Sequence, residues 1–294
     1  MKIIWNHAYL MMVLTALAWS GNAIVAKGTN EIIPPIGLAF WRWAIALPIL
    51  LIMAWPHLRQ DLLKIKGNWL LLMALSALGI ATYNMLLYQG LLSTTAINSF
   101  LINTSRPSII VVLSILLFNQ GITLIQSMGF VLASIGTIAI VLRGDLSHLL
   151  TLNFNTGDLW ILGATFCWAF YTVLMKKRPP MHSASFLAVT IFFGVIMILP
   201  FYIWETIYVK SVPFSMEMAG SVLYLAAIAS VFGHLLYNRA VEIVGPNKAG
   251  QVSYILPIVG SGLAIILLGE EFEFYHGIGF PLILMGVYFG SKGK

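Results

Sequence analysis

The chain repeats itself, with an odd number of hydrophobic stretches in each copy. Trp19 recurs as Trp168, Lys27 as Lys176, Tyr88 as Tyr237 and Asn98 as Asn247, each pair 149 residues apart. After a one-residue slip the correspondence continues at 150, through Pro107 and Pro257, Gly129 and Gly279, and Gly136 and Gly286. Each copy holds five stretches long enough to cross a bilayer. Five crossings leave the chain on the side opposite to its entry, so the second copy runs upside down relative to the first. Two inverted halves around a shared centre are the architecture of a carrier with its site near the bilayer midplane. The expected organisation is a single membrane domain, with a first five-helix repeat over residues 1–146 and a second, inverted one over 147–294.

A helix needs about 20 mostly apolar residues to span the hydrocarbon, because every backbone group must pair internally there. Ten stretches qualify: 8–27, 34–55, 68–88, 94–117, 122–142, 157–176, 182–203, 218–238, 247–268 and 275–290. Only 9% of residues are charged, against about a quarter in water-soluble domains, so the apolar majority must face lipid. The fold class expected is an all-α polytopic membrane protein of ten transmembrane helices in two inverted five-helix repeats.

Lysine and arginine collect on the cytoplasmic side of such proteins. With the N-terminus inside, that side receives Lys2, Arg59, Lys64, Lys66, Lys176, Lys177, Arg178, Arg239, Lys248, Lys292 and Lys294. The other side receives Lys27, Arg143 and Lys210, while Arg42 and Arg106 fall within spans. Of the acids only Asp61 and Glu242 lie inside. Both termini are therefore expected in the cytoplasm. Lys2 followed by an apolar run and Ala16-Leu17-Ala18 resembles a secretory signal, but this stretch is the counterpart of stretch six, and its removal would destroy the symmetry.

The net charge of +6 is a matter of orientation, with no nucleic acid called for. Cys167, the single cysteine, excludes an intrachain disulfide and is expected as a small buried residue. No phosphate-binding glycine loop and no metal-ligand pair at helical spacing is present, so neither an enzyme, a metal nor a cofactor is expected. Asn103-Thr104-Ser105 matches a glycosylation sequon but lies inside a span.

Polar groups within a bilayer are expensive, so their placement is informative. Mid-span positions carry Asn22, Arg42, Tyr83, Asn84, Asn98, Asn103, Arg106, Tyr171, His234, Asn238, Gln251 and Tyr254. Spans three, four, eight and nine supply most of them. Spans five, seven and ten are almost purely apolar and are expected to form an outer support around a central cavity. Trp19 and Asn22 are three apart, as are Trp168 and Tyr171, so matched helices present matched faces. Asn103 and Arg106 share a face, and so do Gln251 and Tyr254. Such residues either glue helices together by hydrogen bonds or meet a solute. Trp41, Trp43, Trp55 and Trp204 fit interfacial anchors, whereas Trp19 and Trp168 lie deeper and fit a cavity wall. Arg42 is expected to be structural, binding carbonyls at a helix end, with direct contact to a solute as the alternative. Arg106 precedes Pro107, which removes a helical hydrogen bond and frees a carbonyl. Its guanidinium could bind a solute carboxylate or cap that opening. Pro257 is expected to make the matching break, so Pro107 and Pro257 are the candidate hinges.

These repeated motifs resemble the drug/metabolite transporter superfamily in its ten-helix, EamA-type branch. Ala18-Trp19 and Cys167-Trp168 stand where that family carries an alanine-tryptophan signature. Phe40-Trp41-Arg42-Trp43-Ala44 is similar to its phenylalanine-x-arginine motif. Tyr88-Gln89-Gly90-Leu91 and Tyr237-Asn238-Arg239-Ala240 end spans three and eight. Leu268-Gly269-Glu270 closes span nine, while Phe118-Asn119-Gln120 replaces it in the first half. The closest likeness is to bacterial exporters of aromatic and other amino acids. It implies outward secondary transport across the inner membrane by alternating access, of amino acids such as aromatic ones, methionine or threonine. On that reading Trp19, Trp168, Tyr83 and Tyr254 supply aromatic contact, and Asn103, Gln251, Asn84 and His234 hydrogen-bond the zwitterion, with Asn22 and Tyr171 beside them. A broad drug or metabolite exporter is the alternative, weakened by the lack of a buried acid to hold a cation. No acid lies mid-span, so transport is expected to be uncoupled, or weakly coupled through His234. The expected partners are the solute and the lipid bilayer, and a monomer suffices.

Overall fold

The computed structural model describes residues 6–29, 32–94, 99, 102–145, 147, 155–213, 215–268 and 271–292. The expectations placed on Lys2, Asn98, Glu270 and Lys294, and on the Lys27 side chain, fall outside these. The described chain is helical throughout: α1 Ala8–Thr29, α2 Pro35–Gly67, α3 Trp69–Ser93, α4 Arg106–Phe118, α5 Leu124–Val141, α6 Thr156–Leu174, α7 Ser183–Tyr208, α8 Met218–Ala249, α9 Val252–Leu268 and α10 Phe274–Ser291. Six of them (α2, α3, α5, α6, α7 and α8) are long and apolar enough to cross a membrane on length and composition alone. The bounds follow the ten expected stretches with three clear differences, one being that α8 runs on to Ala249 where the stretch was expected to end at 238. Helix α2 has 33 residues, about 50 Å at 1.5 Å per residue, so its Arg59–Lys66 end outruns the hydrocarbon. Helix α4 is interrupted near its start, with a turn at Ser105.

Local chemistry explains the helix ends. Thr123 and Gln126 form a capping box at α5, and Asn155 and Asp158 form one at α6, each satisfying amides that begin a helix without partners. Asn119, after α4, takes the left-handed conformation at φ 51, which asparagine tolerates better than most residues. This accounts for asparagine in the motif where the second half has glycine.

Each half lends its first helix to the other. Helix α1 lies against α8 and α9, and α6 lies against α3 and α4. At the first junction the Thr15 hydroxyl donates to the Gly233 carbonyl (3.4 Å). At the second, Thr94 bonds Asp158, and Asn155 Nδ2 donates to the Ser93 carbonyl (2.9 Å). These six helices form the centre, flanked by two pairs.

Helices α5 and α10 run antiparallel along the glycines that the repeat matches. A methyl group on Gly136 would stand 2.8 Å from the Gly279 carbonyl oxygen, and one on Gly286 would stand 2.6 Å from that of Gly129. Only glycine permits this approach, and small residues are what drive helices together where lipid is as apolar as leucine.

Helices α2 and α7 are also antiparallel, and each caps the other. The buried Glu205 carboxylate, near the end of α7, accepts from the Ile36 and Gly37 amides (3.1 and 2.6 Å) at the start of α2. Asp61, near the end of α2, accepts from the His182 amide (3.0 Å) at the start of α7. Negative charge belongs at such helix starts. The sequence-based expectation placed Glu205 beyond a span ending at 203; it sits inside α7. The pairing α5–α10 fits the outer-support expectation, whereas α7 carries the buried Ser185, Thr190 and Glu205 and is less uniformly apolar than expected.

Asp61 and His182 share one end of the bundle with the Lys176–Gln120 bond (3.0 Å) and the Arg178–Glu242 and Arg239–Glu242 ion pairs (3.6 and 3.1 Å). This basic end gathers residues that an inverted repeat must bring to one face.

Candidate functional site

At mid-span the first and second halves meet in a cluster of rings centred on Trp168, which is buried. Its ring lies 5.1 Å from Trp19, 4.7 Å from Tyr83, 5.2 Å from Tyr171, 5.5 Å from His234 and 5.3 Å from Tyr237 between centroids. Such separations, edge to face or tilted, suit the quadrupoles of aromatic rings. Trp19, Tyr83 and the nearby Asn22 and Asn103 are only partly buried, whereas Trp168, Tyr171, His234 and Tyr237 are nearly inaccessible. The first group is the accessible side of the cluster and the second is enclosed behind it.

The backbone behind the rings is unusual. Helices α3 and α8 each widen into a π-helical segment, Ala77–Thr82 and Leu225–Phe232, and the two correspond under the 149-residue repeat. The wide turn leaves carbonyls open to side chains, a feature common at functional sites. Ile80 O accepts from Asn84 Nδ2 (2.8 Å). Its counterpart, Ala229 O, accepts from the Trp19 indole (3.1 Å) and faces His234 Nδ1 at 3.1 Å. Because Nδ1 faces a carbonyl it carries the proton, which leaves Nε2 as a buried acceptor with no partner. Gly233 and Gly79 allow Trp19 and Tyr171 to lie directly on these segments: a methyl on Gly233 would fall 2.7 Å from Trp19 Nε1.

Two buried arginines face this region, and they differ. Arg42 is surrounded by oxygen. Nε donates to Ser230 Oγ (2.8 Å), and Nη1 to Asn22 and Asn84 (3.1 Å each) and to the Tyr88 hydroxyl. It also lies 4.7 Å from the Trp43 ring centre. Its partners are therefore side chains rather than the carbonyls expected. Arg106 donates to Asn103 Oδ1, its guanidinium carbon lies 5.7 Å from the Tyr83 ring centre and 5.9 Å from that of Trp168, and its buried Nε meets no acceptor. Neither arginine belongs to the ion pairs found among the described residues.

The structure brings together Trp19, Asn22, Tyr83, Asn103, Trp168, Tyr171 and His234. It engages Asn84 otherwise: both ends of the amide are taken, by Arg42 and Ile80, so it joins helices and has no free atom for a zwitterion. Gln251 and Tyr254 face away from the rings. Tyr254 bonds Ser134 of α5 (3.0 Å), and the Gln251 amide lies against Gly290 of α10. Trp43, expected at the interface, is fully buried between Arg42 and His234, while Trp55 and Trp204 are exposed as anchors should be. Pro107 opens α4 rather than kinking its middle. Helix α9 continues through Pro257, and the departure from helical geometry falls instead at Gly245 (φ 80, ψ 168), before Pro246. Sequence reasoning left Tyr237, Tyr88 and Ser230 out of the site, although the Tyr88/Tyr237 repeat match singles out two of them.

A bundle of inverted halves with an aromatic, cation-bearing chamber at its centre defines a polytopic membrane carrier. The chain belongs to the EamA-like transporter family, whose sequence model matches it twice, over residues 6–142 and 155–291. It is 30% identical to an uncharacterized transporter of Archaeoglobus fulgidus over 96% of both chains. It is 25% identical to a probable amino-acid metabolite efflux pump of Escherichia coli, over 97% of this chain and 94% of that one. A crystal structure of a protein 16% identical shares the fold, with a TM-score of 0.76 over 96% of this chain and 95% of the other. The protein is thus a membrane-embedded transporter of small molecules, not an enzyme.

Proposed function

We propose that this transporter exports amino acids, aromatic and other neutral ones, across the bacterial inner membrane by alternating access, with both termini in the cytoplasm. The observation that carries this reading is the ring cluster around Trp168, built from helices of both halves, so that relative movement of the halves opens it to one side or the other. The repeats are taken as residues 1–146 and 147–294; because α1 packs on α8 and α9, and α6 on α3 and α4, each moving unit carries the other repeat's first helix, with the chain breaks at Pro107 and Gly245–Pro246 and the proline of α9, Pro257, as hinges. Among these rings Trp19, Tyr83 and Trp168 offer apolar and aromatic contact and His234 Nε2 offers a hydrogen bond, while Asn103 and Asn22 can bond a solute only by exchanging it for partners they already hold. The name of the E. coli relative points the same way. The concentration of lysine and arginine at the basic end supports its cytoplasmic placement. Positive charge at Arg42 and Arg106 disfavours organic cations, and with them a general drug exporter.

The test is counterflow of a panel of labelled amino acids into proteoliposomes of purified protein. Phenylalanine, tryptophan or methionine should exchange, with Trp168→Ala abolishing the exchange. Flux of none of the panel would overturn the reading.

A further inference from the structure

We propose that Arg106 is the fixed counter-charge for a solute carboxylate, and that the chamber selects its solutes by that carboxylate and an aromatic or bulky apolar group, with no requirement for an ammonium. This deepens the export reading and rests on the same chamber.

The contrast between the two arginines carries the argument. A guanidinium has five donors and no acceptor, and an unpaired buried charge is strongly disfavoured. Arg42 resolves this with four neutral oxygen atoms and a tryptophan face, and none of its nitrogens is among the described buried atoms left without a partner. Among the described residues Arg106 has one acceptor, Asn103 Oδ1, and two ring faces. Its Nε–H is buried without a hydrogen-bond partner among the described residues, and only 3% of the residue is exposed. Asn103 Oδ1 is itself shared with the Thr165 hydroxyl (3.2 Å), so the one contact Arg106 has is divided.

The backbone adds to the same charge. Arg106 is the first residue of α4, whose cap residue, Ser105, makes no side-chain capping bond to the new helix. Its hydroxyl instead donates back to Ile102 O (2.6 Å). A helix start presents amides and a positive dipole end, and interrupted helices at mid-membrane hold anionic groups of solutes in this way. The orphaned guanidinium nitrogen is the independent sign that an anion is what is missing. A carboxylate taking over from Asn103 would satisfy the guanidinium in bidentate fashion. The remainder of the solute would then lie along Tyr83 and Trp168, the two rings that Arg106 already faces. An ammonium meets no counter-charge here: the open acceptor, His234 Nε2, is neutral. Asn22 Oδ1 is occupied by Arg42 and Tyr88, and no described carboxylate bonds any member of the chamber.

The experiment uses the full-length protein in detergent and in liposomes, with three probes of equal apolar bulk: phenylalanine, 3-phenylpropionate (no ammonium) and phenethylamine (no carboxylate). Thermal stabilisation measures binding, and competition against phenylalanine counterflow measures use of the transport site. We expect phenylalanine and 3-phenylpropionate to bind within a few-fold of each other, and phenethylamine to bind about tenfold more weakly or worse, the scale of one lost charge-assisted contact. Arg106→Gln should remove the preference for the acids, and Arg106→Lys should retain part of it. Equal binding of phenethylamine, an unchanged preference in Arg106→Gln, or binding of none of the three overturns the proposal. If Arg106→Gln does not fold, the wild-type ranking decides alone. Binding of 3-phenylpropionate without phenylalanine flux would reject amino-acid export while leaving the carboxylate site intact.

Discussion

The indoles of Trp19 and Trp168, which the repeat makes equivalent, meet edge to face with centroids 5.1 Å apart. Equivalent positions on inverted helices can touch only at the pseudo-symmetry axis, so this contact marks the centre of the carrier. The two are nonetheless unequal. Trp19 donates to Ala229 O (3.1 Å) and is partly exposed, whereas Trp168 is enclosed by rings. Trp168→Ala should therefore lower stability by about 3–5 kcal/mol and abolish flux. Trp19→Phe, which keeps the ring and loses the hydrogen bond, should cost only about 1 kcal/mol while reducing flux. Thermal unfolding and counterflow on the same preparations separate the two effects, and equal losses for both variants would contradict the inequality.

Glu205 and Asp61 hold α2 and α7 together from opposite ends. Replacing Glu205 with Ala leaves the Ile36 and Gly37 amides without their charged acceptor and should lower stability by about 1–3 kcal/mol, with Glu205→Gln intermediate. An unfolding temperature unchanged in Glu205→Ala would show that water replaces the carboxylate freely.

The basic end should be sensitive to pH. Burial, and then the stacked His57 ring 3.7 Å away, push the His182 imidazole below the ordinary histidine range, with Arg178 acting in the same direction and Asp61 opposing. Its Nδ1 also accepts from the Ala184 amide (3.2 Å), which protonation would prevent. The unfolded chain takes up a proton as pH falls through about 6.5, while the folded chain takes it up only at lower pH. Stability is thus full above about 6.5 and declines as pH falls toward the folded value. His182→Asn keeps a capping side chain and removes the titration, so its unfolding temperature should drop less than that of wild type between pH 7.5 and 5.5. Parallel curves would exclude His182 as the cause.

The α5–α10 contact should tolerate almost no added volume. A methyl on Gly286 meets the Gly129 carbonyl oxygen at 2.6 Å and the Ala133 amide nitrogen closer still. Gly286→Ala should destabilise by about 1–3 kcal/mol, and Gly286→Leu should prevent accumulation of folded protein in the membrane, read as loss of a monodisperse peak in gel filtration. Gly220, with open space around it, is the control and should accept alanine.

Flux should respond little to an imposed proton gradient. The buried Asp61, Asp158 and Glu205 are each committed to helix starts or caps, away from the Trp168 rings. Strong stimulation of amino-acid accumulation by a pH step across proteoliposomes would show a coupling site elsewhere.

The symmetry, the ten helices and the central tryptophans were legible in the sequence because repetition and apolar length are one-dimensional properties. The glycines of α5 and α10 were visible as repeat matches, though their mutual contact was not. What escaped depends on rotation about a helix axis. Gln251 and Tyr254 share a face with each other, as spacing required, but that face turns toward α5 and α10. Trp43 is polar enough for an interface and is used as a wall behind His234. The π-helical segments shift every later side chain on α3 and α8 around the axis, and no residue type announces them. The neighbouring Pro107 already set Arg106 apart from Arg42 in the sequence, but the side-chain oxygens that surround Arg42 come from three helices and could not be read from it.

The loan of α1 to the second half and of α6 to the first has a consequence for biogenesis. The segments that will sheath the inner face of α1 begin at residue 218, 189 residues beyond its end at residue 29, and so are made long after it. Until then Thr15 and Ser20 lack the Gly233 and Leu256 carbonyls that they bond in the folded protein, so early α1 is the exposed flank on which quality control can act. A gene cut in the connection between residues 145 and 155 should yield fragments that are degraded singly and rescued when produced together.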